Sequence, residues 1–192
     1  MDGGVAEIVP DRDRPYAAEL YLDGSPQSHV DLAEPTYLAY EYVRHIADVL
    51  DVSFPAGDAV DVLHLGGGAL TLPRYVAATR RGSRQRVVEL DAALVALVRE
   101  ALPLDPAHRL RVSTDDARAA LDRTRPRSQD VVVVDVYAAT RMPARIACRE
   151  CLAAASAALR PGGLVVFNLA DSRPLAFARS MAATAADVFA HV

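Results

Sequence analysis

The chain has 192 residues, 52% of them hydrophobic, enough for one domain with a substantial core. Its 25 acidic and 21 basic residues leave a formal charge of −4, without the basic excess that announces a nucleic-acid surface. No apolar run reaches the length of a membrane span and the start lacks a signal-peptide pattern, so the sequence reads as cytoplasmic, with no membrane or nucleic-acid partner. Every basic residue is an arginine, which excludes lysine Schiff-base chemistry and the lysine of a phosphate loop.

In chain order, Ala6 to Val9, Tyr16 to Leu22 and Ser28 to Leu32 are short β-like runs separated by Pro, Asp and Gly, predicting an N-terminal β-hairpin region over 1–35. From Thr36 the pattern turns helical, with Tyr37, Tyr40, Val43, Ile46, Ala47 and Leu50 on one face until Pro55 and Gly57 stop it. Strands and helices then alternate over 36–192. Strands are predicted at 60–65, 86–90, 109–113, 130–135 and 163–169, and helices at 72–80, 92–102, 117–123, 144–159 and 174–187, which is the order of a doubly wound α/β sheet. Val131 to Val134 has no polar face, as a central parallel strand requires. Val188 to Val192 resembles the start of a further strand, whose loss would leave the fifth strand as a bare edge open to pairing with a second copy.

The chemistry concentrates where the first parallel strand breaks into Gly66, Gly67 and Gly68. In a doubly wound sheet this turn and Glu89, at the end of the next strand, lie side by side at the carboxyl edge, where a ribose hydroxyl pair is gripped. Ala69-Leu70 stand where a phosphate cradle needs lysine and a hydroxyl residue, and Thr71 where a dinucleotide fingerprint needs its third glycine. The loop therefore suits an adenosyl group held by sugar and base. The arginines at 80, 81, 84 and 86 read as a solvated surface turn rather than a phosphate patch. Cys148 and Cys151 fall inside the 144–159 helical run without further ligands, and read as burial on a helix face rather than a redox pair or metal site. His64, two residues before the first glycine, reads as a packed strand-end histidine.

With the glycine turn, Glu89, the Thr114-Asp115-Asp116-Ala117-Arg118 segment and Asp135 at strand ends, and Asp23-Gly24-Ser25-Pro26-Gln27 after the β-region, the chain resembles the spermidine synthase family of aminopropyltransferases. That resemblance implies a β-domain on a Rossmann-like, class I methyltransferase-type domain, assembled as a homodimer. It implies decarboxylated S-adenosylmethionine, or S-adenosylmethionine itself, as co-substrate, a small-molecule amine as acceptor, and no metal. Glu89 would hold the ribose hydroxyls, Asp116 would accept from the adenine amino group, Gln27 would close over the sulfur side, and Asp135 would be the catalytic base. Three positions depart from the family. The acid of the glycine loop is Ala69, the acid three residues after Asp135 is Ala138, and the Tyr-(His or Gln)-Glu element, aligned on Tyr37, continues as Leu38-Ala39. Two lost charged hydrogen bonds at about 1.5–3 kcal/mol each would weaken polyamine binding roughly a hundred- to ten-thousandfold. A methyltransferase, or a non-catalytic relative keeping the fold for assembly or nucleoside sensing, are the alternatives.

Overall fold

A computed structural model describes residues 4–138 and 141–192. Three antiparallel strands come first: β1 (Ala6–Pro10), β2 (Ala17–Leu22) and β3 (Ser25–Asp31), in the order β1-β2-β3. The β2–β3 turn is made by Asp23 and Gly24, both at positive φ. A two-residue hairpin turn of this mirror-image kind matches the twist of its strands, and Asp-Gly is among the pairs that adopt it most readily.

Helix α1 (Glu41–Ser53) follows, then β4 (Asp61–Leu65), α2 (Thr71–Thr79), β5 (Arg84–Glu89), α3 (Ala92–Ala101), β6 (Leu110–Thr114), α4 (Ala117–Asp122), β7 (Gln129–Val134), α5 (Arg149–Ala158), β8 (Leu159–Phe167) and α6 (Ala176–Ala186). The five later strands form one parallel sheet in the order β6-β5-β4-β7-β8. This is the predicted doubly wound α/β fold with its small β-region. Chain order reverses between β4 and β7, so the crevice at their carboxyl ends is where such a sheet takes a ligand.

Valines on β7 explain why the sheet is central. Val132 and Val134 pack with Leu63, Leu65, Ala120 and Ala155 on the face covered by α4, α5 and α6. Val131 and Val133 pack with Val43, Ile46, Leu50 and Val76 on the opposite face, under α1 and α2. Burying a side chain of this size stabilises by about 1.5–3 kcal/mol, so the four valines alone are a large part of what holds the layers together. A third cluster joins Leu20 and Val30 of the small sheet to Leu70, Val87, Leu94 and Val98, which seats β2 and β3 against α3 and the glycine turn.

The amino edge of the parallel sheet is tied by charge. Asp61 bonds Arg84 and Arg160, each at 2.6 Å, while Asp130 accepts from Arg160 at 2.7 Å and from the Asp61 backbone N–H at 2.7 Å. Those guanidiniums hold the Asp61 carboxyl below the usual carboxylate range, with burial opposing them.

Four expectations are corrected. The first long helix begins at Glu41, not Thr36: Tyr40 is its extended N-cap, and Arg44 bonds the carbonyls of Leu38 and Ala39 to hold the non-helical approach. Helix α5, predicted from residue 144, begins at Arg149, because Pro143 to Ala147 close a separate hydrogen-bonded turn. Val188 to Val192 form no strand; Val188 and Phe189 donate to the Ala185 carbonyl and Phe189 packs on the core. The arginine run is not a uniform solvated turn. Arg80 is 1% exposed and binds Asp51 at 2.8 Å and the Pro55 carbonyl at 2.9 Å, fastening α2 to the end of α1.

Candidate functional site

Gly66 turns the chain at φ +93°, and a Cβ there would come within 2.0 Å of the Asp135 carbonyl oxygen. Only glycine lets β4 and β7 end so close together. Gly67 is confined less severely, its added Cβ standing 3.2 Å from Val87 and 3.4 Å from Glu89 Oε2. Gly68, at φ +47°, abuts the Ser28 hydroxyl of β3. The three glycines thus bring two strand ends and the small sheet onto one point.

Glu89 stands at the end of β5 and fixes that loop. Its Oε2 accepts from the Gly67 N–H at 2.9 Å and its Oε1 from the Asp91 N–H at 3.1 Å. Asp91 then caps α3 by accepting from Ala93 and Leu94. Asp116 caps α4 through a 2.9 Å bond from the Ala119 N–H, and Arg145 pairs with its other oxygen at 2.6 Å. Because each carboxylate oxygen has two acceptor sites, Asp116 keeps capacity for a further donor.

Asp135 lies at the end of β7, across the turn from Glu89. Loss of hydration pushes its carboxyl pKa up; the Asn168 amide, donating at 2.9 Å, pulls the other way, and the Glu89 charge adds to the rise. Tyr42 and Tyr137 line the same cavity. Burial raises both phenol pKa values and the Asp135 charge raises them further, while the Tyr137 hydroxyl donates to the Asn168 carbonyl at 2.8 Å.

A cavity of about 570 Å³ joins these groups, with Gln27, Gly66, Gly67, Gly68, Glu89, Asp116 and Asp135 all on its wall. Every residue singled out from the sequence for ligand contact is therefore brought to one place. Sequence reasoning missed Tyr40, Tyr42, Tyr137, Arg145 and Asn168, which also line it. Tyr37 does not: its ring packs against His29 and under the Arg14 guanidinium, 3.9 Å from the ring centroid. Tyr40-Glu41-Tyr42, three residues on, is the tyrosine element that faces the cavity, and the late start of α1 is what hid it.

His64 is buried, with Nε2 2.9 Å from Gln85 Oε1, and burial pushes its pKa down to about 4; it is a neutral core residue. Ala69 is fully buried in the third cluster, whereas Ala138 lies on the cavity wall. Cys148 is the N-cap of α5 rather than a residue inside it, and Cys151 is fully buried, its thiol pushed up to about 11 by burial. Among the described residues no cluster of three or more His, Cys, Asp or Glu side chains is arranged to hold a metal ion. Nor is any described helix long and apolar enough to cross a membrane.

No family model matches the chain. Among curated proteins, polyamine aminopropyltransferase 2 of Pseudomonas aeruginosa is 32% identical over 199 residues, covering 92% of this chain and 51% of that protein. The chain thus spans about half the length of that relative. Among solved structures, a probable spermidine synthase from Corynebacterium glutamicum superposes with a TM-score of 0.89 at 35% identity, covering 97% of this chain and 68% of that one. A spermidine synthase in complex with the transition-state analogue AdoDATO superposes at 0.74 and 18% identity, over 98% of this chain and 63% of that one, a likeness of fold. Identity at that level over two thirds of the Corynebacterium chain joins the glycine turn, Glu89 and Asp135 in one conclusion: the chain belongs to the spermidine synthase family of polyamine aminopropyltransferases.

Proposed function

We propose that the cavity binds an S-adenosyl-type nucleoside and that Asp135 serves transfer of its aminopropyl group to an amine. The observation that carries this reading is the placement of Asp135, with a raised pKa, across the glycine turn from Glu89 in one cavity of about 570 Å³. That volume is within the range of about 300–1,000 Å³ typical of small-molecule sites. Glu89 accepts the ribose hydroxyls with acceptor positions its two backbone donors leave open, Asp116 reads the adenine amino group, and Gln27 closes over the sulfur side. The flat Gly66-Gly67 backbone lets the sugar approach. Spermidine synthases are solved with an adenosyl transition-state analogue, which supports decarboxylated S-adenosylmethionine as the partner of these residues.

An amine is protonated at neutral pH and cannot attack while its lone pair is occupied. Asp135, made more basic by burial and Glu89, accepts that proton. The freed nitrogen attacks the carbon beside the sulfonium, forming C–N as C–S breaks; the sulfur keeps the electron pair and leaves as methylthioadenosine. Asn168 holds the carboxylate, and Tyr42 and Tyr137 exclude water around it.

The acceptor side is poor in acids. Glu19, which meets the cavity-lining Tyr40, spends one oxygen on the Tyr21 hydroxyl at 2.7 Å and the other on Tyr40 at 3.2 Å. Putrescine is accordingly a weak acceptor, and a monoamine fits the charge better. Calorimetry with methylthioadenosine, S-adenosylmethionine and its decarboxylated form tests the reading: the decarboxylated form should bind more tightly than S-adenosylmethionine. The reverse ranking would make the chain a methyltransferase, and no binding of any of the three would leave only the fold. Both β6 and β8 are sheet edges, and we expect a homodimer in a cytoplasmic setting; light scattering that gives a strict monomer at micromolar concentration removes the assembly part.

A further inference from the structure

A second cleft stands apart from the nucleoside cavity. It has a volume of about 740 Å³ and lies at the opposite, amino edge of the parallel sheet, around the starts of β4, β5 and β7 and the 125–129 loop. Arg86, Arg109, Arg111, Arg125 and Arg127 line it, and among the described residues none of the five makes a side-chain hydrogen bond or ion pair. The carboxylate that acts on Arg86 at longer range, Asp115, is already paired with Arg123. Arg14, Arg74 and Arg80, by contrast, spend their guanidiniums on carboxylates and carbonyls. A molecule with net charge −4 thus sets five unpaired arginines around a single cleft.

The sheet register sharpens this. Arg86 of β5 and Arg111 of β6 are direct partners on neighbouring parallel strands, so their side chains leave the same face about 4.8 Å apart. Like charges placed opposite one another destabilise a sheet. Arg109 follows the same face two residues before Arg111. Cations at spacings of about 5–7 Å ask for an anion of high charge density, and the planar guanidinium fork is suited to paired oxygens of phosphate. The cleft is too large for one phosphate and of small-molecule size.

We propose that the amino-edge cleft is a binding site for a small oligophosphate anion, whether an inorganic chain or the polyphosphate tail of a nucleotide. It is separate from the nucleoside cavity by the length of the strands, about 15–20 Å for five or six residues. Titration calorimetry of the full chain with inorganic tripolyphosphate, ATP, orthophosphate and a single-stranded oligonucleotide tests it. Tripolyphosphate should bind more tightly than orthophosphate, the more so at low salt, and R86Q/R111Q should weaken it tenfold or more. The exposed loop pair R125Q/R127Q should do the same without touching the sheet, and methylthioadenosine binding should be unchanged in both. Equal affinity for tripolyphosphate and ATP would make the phosphate chain the whole ligand, and tighter ATP binding would make a nucleotide the source; both support the site. Failure of tripolyphosphate and ATP to bind at millimolar concentration, equal affinity in both variants, or an oligonucleotide binding more tightly than tripolyphosphate would overturn it.

Discussion

The two edges of the parallel sheet carry opposite charge and handle it differently. At the carboxyl edge Glu89, Asp116 and Asp135 converge on one cavity, with a guanidinium pairing only the outermost, Asp116. At the amino edge Asp61 and Asp130 are fully engaged by Arg84 and Arg160, and the surplus there is positive. The first edge is arranged at the expense of stability, since burial and the Glu89 charge both disfavour the ionised Asp135 carboxylate. The second holds the strands in place. What differs is whether the counter-charge is built into the chain or left to a ligand.

The largest expected effect tests the first half of that contrast. Asp135→Asn should lower turnover by a hundred- to ten-thousandfold, about 3–5 kcal/mol, while nucleoside affinity holds. The same change should raise the melting temperature at pH 7. Because the native pKa is raised, the folded state holds the proton more tightly than the unfolded one, and stability is lost as pH rises through the native value. A thermal melt of the variant that is lower than that of the parent at pH 7 would remove the idea that this edge is strained.

Between the edges His64 provides the next effect. Its pKa falls from 6.5 to about 4 on folding, so its contribution is complete above pH 6.5 and lost as the pH drops toward 4, by about 3 kcal/mol. Denaturant titrations across that range should show the slope in the parent and a shallower one in His64→Gln. Identical slopes would place a proton acceptor elsewhere.

Glu89→Gln should weaken nucleoside binding by about 1.5–3 kcal/mol. Part of that loss comes from the loop, because one amide face turns a donor toward the Gly67 or Asp91 N–H. Calorimetry showing unchanged affinity would detach Glu89 from the ligand. The smallest effect belongs to the amino edge: Asp61→Asn should cost about 1–2 kcal/mol of stability, discounted because Arg84 is mostly exposed, and leave nucleoside affinity intact. Its depressed pKa means this contribution is present above the unfolded value and fades as pH falls through the native one.

The carboxyl edge was the legible one. A valine run, a glycine break and an acid at the next strand end are local patterns with a fixed geometric meaning, so Gly66, Glu89 and Asp135 could be placed before any fold was seen. Tyr42, Tyr137 and Asn168 reach the cavity from separate elements, and no local pattern marks a tertiary meeting point. Helix starts misled for a related reason. Tyr37 and Tyr40 continue the apolar spacing of α1, and Ile146 that of α5, although each lies in a turn or extended approach before the helix begins. Arg80 was misread because a charged residue beside a turn is usually solvated, and only the end of α1 shows what it holds.

Val131 to Val134 present the same side chain to both cores, so sliding β7 one position along β4 would keep valine on each face and forfeit little burial. The hydrophobic pattern cannot tell one alignment from the next. The polar residues at the strand start can: a slip of about 3.3 Å would carry Asp130 away from the Asp61 N–H and from Arg160 together. Those few charges act as a fiducial mark for the whole sheet. A chain stripped of them would fail by populating offset pairings, a mixture of compact forms in which Gly66 and Asp135 no longer meet, rather than by unfolding.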